Sequence, residues 1–483
     1  MLDQARQQSS SPIILIEIAN VFESMSLSEQ AGIVLEQGIT KHPDDPRMAI
    51  AFANYCYKQN QPETGLKVSG LFASTDDATN DILLTHAHLL KATGRTDDAI
   101  IFYKKVLLND SKSAIALSSL GGLALDARQY RSAIEYYRAA HKSEPGNSFI
   151  ETQLAHTEFR CGDLENAWIH YNARFGHASS AGSVERRTHP YPQWNGKPLT
   201  HGKLLIWCEQ AVGEELLYST MLNDAAEAFP MGVIVECDAR LKPLFERSFK
   251  KIAFVARGNP PDLQLNDKTI IAQCSAGQLG SFFRNSFEHF PKTSVQLKAD
   301  VARTKELRDH YEHHKRKLGK TGLIIGISWK SKPFLQGDPK SSALSDWRIL
   351  FEQSPHYFVS LQYGDITQDL EFARQQNWSV AFDKHVDQFK SLDDFAAQVS
   401  AMDKIVSVSN TTAHMAGVCG IPSAILLPAS RGLMWHWFDK ETPESTDSIT
   451  HSPWYSSLTL LRQQEDGKWQ DVLRQARDYL QPD

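Results

Sequence analysis

The 483-residue chain predicts an all-α solenoid of helical hairpins followed by an α/β half made of two Rossmann-like domains. Two observations carry this reading. Before residue 180, small and aromatic residues recur with a period of 34; beyond residue 200, short apolar runs alternate with helical segments. The first is the signature of a stacked helical repeat, and the second is that of parallel sheets covered on both faces.

In the repeat region one column of small residues runs Ala53, Ala87, Gly121, Ala155, and another runs Gly65, Ala99, Ala133, Ala167. Both extend one step back, to Ala19 and Ala31, and a tyrosine column follows at Tyr103, Tyr137 and Tyr171. Thirty-four residues is the length of a tetratricopeptide repeat, in which small residues sit where two helices cross and an aromatic fills the gap to the next pair. Turns are marked by Pro46, Gly94, Pro145-Gly146 and Gly162, with Asn60 and Arg128 in the same column as Gly94 and Gly162. Residues 1–175 are therefore expected to form about four to five hairpins, a surface of the kind that holds another protein.

From 176 to 200 the pattern stops. Small residues over Ala178–Ser183 give way to Pro190, Pro192, Gly196 and Pro198, which reads as a linker or extended arm. Residues 201–320 are expected to form the first Rossmann-like domain, with strands at Leu204–Cys208, Val233–Cys237, Ile252–Ala256 and Ile270–Cys274. Helices are expected over Leu216–Phe229 and Leu241–Ser248, and a charged helical stretch over Asp300–Lys320 closes this half. The second domain, 321–483, has strand runs at Leu323–Trp329, Tyr357–Gln362, Ser379–Phe382, Lys404–Ser409 and Ser423–Leu427. Its last helical segment, Lys468–Leu480, is expected to cross back to the first half. Two such halves enclose a cleft, and ligands sit there at the carboxyl ends of the strands.

Composition narrows the function classes. With 51 basic against 57 acidic residues the chain lacks the basic excess of a nucleic-acid-binding protein. Its six cysteines are scattered and sit mostly in apolar runs, as small hydrophobes do. The apolar run from Pro12 is broken at Glu17 and preceded by no basic cluster beyond Arg6, so no signal peptide is expected. No apolar stretch approaches the roughly 20 residues of a membrane span, and a cytoplasmic protein is the expectation. His86 and His88, two apart on a helix, do not share a face and make poor metal ligands. No Asp-x-Asp triplet and no Walker-type phosphate loop occurs.

Four segments carry candidate chemistry. Trp207–Glu215 joins the first strand to its helix; Gly213 permits close approach, and Glu214 and Glu215 lie at the helix start. Acidic residues there are favoured by the helix dipole, and either carboxylate is also placed to take a proton from a hydroxyl in the cleft. In Val406–Gly417 a strand ends at Ser409 and Asn410, Thr411 and Thr412 precede a helix carrying His414. Capping explains one of these side chains; four polar residues in succession exceed that need and point to an anion site. Gly326–Lys332, with Trp329, Lys330 and later Lys340, places lysines after the first strand of the second half, where they serve either as solvated loop residues or, through Lys330 or Lys340, as phosphate contacts. Ser360–Asp365, with Gln362, is another strand end pointing the same way. Trp435, Trp437, Trp454 and Tyr455 are candidates for lining the cleft or for core packing, and Asp393-Asp394 reads as a helix N-terminal cap.

Taken together, Trp207–Ser219, Val235–Leu241, Gly326–Lys330, Phe358–Asp365, Asp393–Gln398, Lys404–Gly417 and Ser452–Tyr455 resemble bacterial tetratricopeptide-repeat glycosyltransferases of the GT-B fold, the flagellin-modification and heptosyltransferase-like group. The resemblance spans residues 200–480. It implies a metal-independent transferase that moves a sugar, in some relatives a nonulosonic sugar such as pseudaminic acid, from a nucleotide-activated donor to Ser or Thr of a protein. Flagellin is the acceptor it suggests, held by the repeats. No cofactor is implied beyond the nucleotide-sugar substrate, a CMP-linked one among the candidates.

By the same resemblance Glu214 stands where these enzymes place a catalytic aspartate after glycine, and Glu215 matches an acidic residue of the repeat-bearing group. Lys340 falls near the donor-phosphate basic residue, and Asn410, Thr411, Thr412 and His414 match the donor-phosphate turn. The chain departs from the pattern at Ala211, where glycine is usual, and at Ser409, where aspartate is frequent. Those departures define a rival expectation, a repeat adaptor with a non-catalytic α/β half. Transfer to a lipopolysaccharide or lipid-linked acceptor is a third, and it leaves the repeats without a purpose.

Overall fold

The computed structural model describes residues 11–176, 184–198, 200–294, 296–331 and 337–481. Lys332, Arg6 and the Ala178–Ser183 part of the expected linker lie outside the described residues. The chain divides into two compact units, Met1–Ile150 and Glu151–Asp483.

The first unit is built from antiparallel helix pairs: α1 (Pro12–Ser24) with α2 (Ser28–Lys41), α3 (Pro46–Lys58) with α4 (Pro62–Ala73), α5 (Asn80–Ala92) with α6 (Thr96–Asn109), and α7 (Ala114–Asp126) with α8 (Tyr130–Ser143). The small columns lie where the helices touch. Ala53, Ala87, Ala99 and Ala133 are fully buried, and a Cβ on Gly65 would meet Leu89 Cδ2 at 3.0 Å and the Ala53 carbonyl at 3.1 Å. A Cβ on Gly121 would meet the Tyr137 ring at 3.1 Å, so the tyrosine column fills the space that the glycine leaves. Asp45 caps α3, its Oδ1 accepting from the amides of Arg47 at 2.9 Å and Met48 at 3.4 Å, and prolines open α3 and α4, where a missing N–H costs nothing.

The turn column obeys one backbone rule. Asn60, Gly94 and Arg128 all adopt positive φ, as does Gly162 in the second unit, and Ser26 extends the series one repeat earlier with φ 60. Each hairpin turns through a left-handed residue at the same place, whatever side chain occupies it.

The second unit begins with α9 (Ser148–Arg160) and α10 (Leu164–His170), and the division between units falls in the first turn of α9. This last hairpin packs into the α/β half. Phe159, Trp168 and Tyr171 stack around Trp435 with ring centroids 4.4–5.7 Å apart, and the Trp168 indole donates to the Arg284 carbonyl at 2.8 Å. The amides of Asp439 and Lys440 donate to the Arg160 carbonyl at 2.7 and 2.9 Å.

Four parallel strands, β1 (Lys203–Trp207), β2 (Val233–Cys237), β3 (Ile252–Ala256) and β4 (Ile270–Ser275), form the first sheet in the order β3-β2-β1-β4. The second sheet has six parallel strands: β5 (Ile324–Ser328), β6 (Tyr357–Ser360), β7 (Val380–Ala381), β8 (Lys404–Val408), β9 (Ser423–Leu427) and β10 (Leu458–Arg462). Their order, β10-β9-β8-β5-β6-β7, is the doubly wound arrangement of a dinucleotide-binding fold. The architecture is thus a tetratricopeptide-like helical repeat followed by two parallel α/β sheets, consistent with two Rossmann-like domains. Strand β10 is absent from the sequence-based expectations; its Leu-Thr-Leu-Leu-Arg run is short and lies close behind the aromatic segment that drew attention instead.

The helices that place the site are α11 (Val212–Ser219), α12 (Leu222–Ala228) and α13 (Lys242–Ser248) on the first sheet. In chain order there follow α14 (Leu279–Phe283), α15 (Val301–Lys317), α16 (Gly337–Lys340), α17 (Arg348–Phe351), α18 (Thr367–Gln375), α19 (Leu392–Ser400), α20 (Thr411–Val418) and α21 (Gln470–Leu480). Two placements differ from expectation. Helix α15 packs on α19 and β5 of the second sheet rather than closing the first half. Helix α21 packs on α17, β9 and β10, with Val472, Leu473 and Ala476 in the same core as Ile325 and Phe358, and so covers its own sheet instead of crossing back. The segment read as a linker or extended arm runs, in its described part, along the outer strand of the first sheet: Gln193 bridges Gln273, and Trp194, buried against Phe229 and Phe282, donates its amide to the Gln273 carbonyl at 2.8 Å. A hydrophobic strip of this size gains more by burial than by staying a free tether.

Candidate functional site

In the second sheet the chain steps outward from β5 to β7 and then returns to β8, so the connections leaving the paired carboxyl ends of β5 and β8 run to opposite sides and open a crevice there. Its floor is tied together by two amides. Gln362, after β6, accepts at Oε1 from Ser328 Oγ (3.1 Å), Trp329 N (2.9 Å) and Lys330 N (2.8 Å) and donates to the Lys330 carbonyl at 3.1 Å. Asn410 donates to Ser328 Oγ at 2.8 Å and to the Lys330 carbonyl at 3.0 Å, while its Oδ1 accepts from the amides of Thr412 (2.9 Å) and Ala413 (3.4 Å). Thr412 Oγ1 donates to the Leu361 carbonyl at 3.3 Å, and Trp329 is wholly buried beside Ile327. Four of the sequence-predicted donor residues, Trp329, Gln362, Asn410 and Thr412, therefore build the crevice floor. Gln362, Asn410 and Thr412 direct these hydrogen bonds into it. Asn410 also caps the α20 amides that an anion would otherwise use. Lys330 is paired with Asp369 at 2.7 Å. Thr411 keeps partial exposure at the helix start.

The opposite wall is α11, which packs directly on α20. The two helices meet at Gly213, where an added Cβ would lie 3.1 Å from His414 Cδ2. His414 is held by a 2.9 Å hydrogen bond between Nδ1 and Tyr455 OH and by stacking on Trp437 at 5.2 Å and 21°. Trp437 in turn donates to Ser409 Oγ at 2.8 Å, so Ser409 serves as an acceptor for the indole that backs His414. Burial, helped by the Lys340 ammonium, lowers the His414 imidazole to about 3, which keeps it neutral.

Glu214 on α11 and Lys340 on α16 act on each other electrostatically. Burial raises the Glu214 carboxyl above its ordinary range while the Lys340 ammonium pulls it down. The same burial lowers Lys340, and Glu214 opposes that. Each is thus the other's opposing charge, acting across the space between α11 and α16 without an ion-pair contact. Glu215 points elsewhere. Only 1% exposed, it pairs with Arg257 and accepts from the Asp238 amide at 2.9 Å, which ties α11 to the ends of β2 and β3.

The turn before α11 is held by the last repeat hairpin. Gln210 has φ 67, and its side chain bonds to Tyr171 OH at 3.2 Å and Tyr218 OH at 3.0 Å. Ala211, by contrast, is extended, a conformation any residue adopts, so replacing a glycine there strains nothing. Beside it Arg174 pairs with buried Glu209 at 2.8 Å and donates to Ser275 Oγ at 2.9 Å, while Glu209 also accepts from the amides of Ala276 and Gly277, both at 3.1 Å. This cluster ties the carboxyl ends of β1 and β4 together. Asp393 and Asp394 do not cap α19; Ser391 does, and Asp393 instead receives Arg247 of the first half at 2.6 Å. Trp435, Trp437, Trp454 and Tyr455 are all buried in the core.

Sequence reasoning missed His436, His156, Tyr171 and Arg174 as parts of this region. Tyr171 was visible only as the last member of the repeat column. The histidines carry no spacing signal because they come from α9 and from a short turn after β9. Among the described residues no three His, Cys, Asp or Glu side chains converge in a metal-binding arrangement.

The fold and crevice define a tetratricopeptide-repeat protein with a two-sheet α/β half. No family model matches the chain. It is related to Protein FlbA of Caulobacter vibrioides, with 26% identity over 467 residues covering 93% of this chain and 75% of that protein. It is also similar over 112 residues, at 30% identity, to human N-alpha-acetyltransferase 16, NatA auxiliary subunit, a match covering 23% of this chain and 13% of that protein. Among solved structures, a thermophilic TPR protein of Thermus thermophilus aligns with 34% of this chain and 90% of its own at 14% identity and a TM-score of 0.31. Among the described residues no helix is long and apolar enough to cross a membrane.

Proposed function

We propose that the protein is a glycosyltransferase that moves a sugar from a nucleotide-activated donor to a serine or threonine of a protein acceptor. The observation that carries this reading is the opposition of Glu214 and Lys340 where α11 meets α20, at the carboxyl ends of strands from two parallel sheets. The Glu214 carboxylate takes the proton of the acceptor hydroxyl, raised by burial toward the range where a base works near neutrality. As the hydroxyl oxygen bonds to the anomeric carbon, the bond from that carbon to the donor phosphate oxygen breaks, and Lys340 stabilises the charge left on the phosphate. Thr411 and His414 border that position. Trp329, Gln362, Asn410 and Thr412 keep the floor rigid, a role that accounts for their placement without direct donor contact. Lys330 and Glu215 are assigned supporting ion pairs rather than chemistry.

The repeats supply the acceptor site. Flagellin as acceptor and a CMP-linked nonulosonic sugar as donor rest on the resemblance of the motifs alone. Intact-mass measurement of flagellin from cells with and without this gene tests the reading, and an unchanged mass would remove flagellin from it. A second reading, a repeat adaptor that binds a partner or nucleotide without turnover, draws on the engagement of Lys330 with Asp369 and of Asn410 with the α20 amides. Nucleotide binding without transfer, unchanged in Glu214→Ala, would favour it.

A further inference from the structure

His436 lies in the short turn Trp435–Trp437, is 2% exposed, and has no hydrogen-bond partner on either ring nitrogen among the described residues. A buried imidazole with both nitrogens idle is costly, because its polar atoms have lost water and gained nothing. Its neighbours say what is missing. His414 from α20 lies 4.7 Å away, centroid to centroid, and His156 from α9 and Lys340 from α16 lie within electrostatic reach. Every titratable group that acts on it is thus a cation or a potential cation. The carboxylate of this region, Glu214, acts on Lys340 instead.

We propose that His436 contacts substrate, forming with Lys340 and His156 a subsite for an anionic oxygen, the phosphate of a nucleotide or a free phosphate. The proposal rests on the glycosyltransferase reading only for the identity of that anion as the donor's leaving phosphate. One imidazole N–H donates to the anion. Burial, and with it the positive surroundings, keeps the ring neutral when the site is empty; a negative charge entering offsets the second influence, so the ring can then carry a second proton. His156 extends the subsite to the last repeat hairpin, which places the anion beside the segment nearest the acceptor-binding repeats in sequence.

The test is calorimetric titration of the full chain with CMP, UDP and inorganic pyrophosphate, repeated with His436→Phe and His436→Gln. Phenylalanine keeps the ring packed among Trp435, Trp437 and His414 but removes both nitrogens; glutamine restores one donor and one acceptor. The expected result is binding of at least one probe to the wild type, about tenfold or more weaker in His436→Phe and largely recovered in His436→Gln. The ligand-free His436→Phe protein should melt about 1–3 °C higher, since no nitrogen is then left unpaired. Nucleotides binding more tightly than pyrophosphate would identify a nucleotide phosphate, and the reverse order a free oxyanion. Equal affinity in wild type and His436→Phe, or failure of all three probes to bind the wild type, would overturn the subsite. Binding that depends on His436 while the flagellin mass stays unchanged would leave the subsite standing and remove transfer to flagellin from the proposed function.

Discussion

Gly213 on α11 sits so close to His414 on α20 that an added Cβ would lie 3.1 Å from the imidazole Cδ2. His414 cannot give way, because Tyr455 holds its Nδ1 and Trp437 stacks on its face. The contact therefore sets the separation of the two helices, and with it the position of Glu214 one residue further on.

Gly213→Ala should push α11 away from α20. Overpacking of this kind costs about 1–3 kcal/mol, and the displacement of Glu214 should lower kcat far more than KM, since small misplacements of a reacting group are costly. Transfer kinetics alongside a denaturant melt check this; unchanged kcat in a destabilised variant would refute the positional role.

Adjacent acidic residues should behave oppositely. Glu214→Gln should fold like the wild type and lose about 10²–10⁴-fold in activity. Glu215→Gln should keep the chemistry but lose stability by about 2 kcal/mol, less than a fully buried pair because Arg257 retains some access to water. Urea unfolding and transfer assays on both variants separate the two roles.

The Glu214–Lys340 opposition gives a pH prediction with a definite sign. Activity needs Glu214 ionised, so kcat/KM falls on the acid side as the carboxyl takes up its proton. Burial raises this carboxyl and the Lys340 ammonium lowers it. Lys340→Met removes the lowering influence, so the acid limb should move to higher pH as well as the maximum rate falling. A limb that stays put or moves to lower pH would separate the two residues.

The turn column offers a test in the repeats alone. Ser26 holds φ 60 where Gly94 holds φ 78, and a left-handed residue with a Cβ costs roughly 1–2 kcal/mol. Ser26→Gly should raise stability by about 0.5–1 kcal/mol after the added unfolded-state freedom of glycine is counted. Gly94→Ala should lower it by about 1–2 kcal/mol. Opposite shifts in melting temperature are the readout.

Much of this molecule was legible in sequence wherever the physics is local and periodic. The 34-residue columns placed the helix crossings, and the spacing of Asn60, Gly94, Arg128 and Gly162 placed the left-handed turns. Among the described residues the apolar runs placed every strand but β10, because a buried strand writes itself as a short apolar stretch. The segments at the strand ends drew attention to the loops that border the crevice. Which side chain in each loop faces it was not legible, since neighbouring residues such as Glu214 and Glu215 are equivalent in composition.

That choice belongs to long-range packing. Arg257, which claims Glu215, is 42 residues away in sequence, and Ser328 and Lys330, which engage Asn410, lie some 80 residues from it. His436 and His156 join the same region from segments with no shared pattern. The order of repeats, strands and turns could be read along the chain, because it follows from the period of burial within one segment at a time. Which polar groups serve as braces, and which stay open to a ligand, emerged only once the segments were packed together. Those assignments depend on hydrogen bonds and charges between distant parts of the chain, and no local period records them.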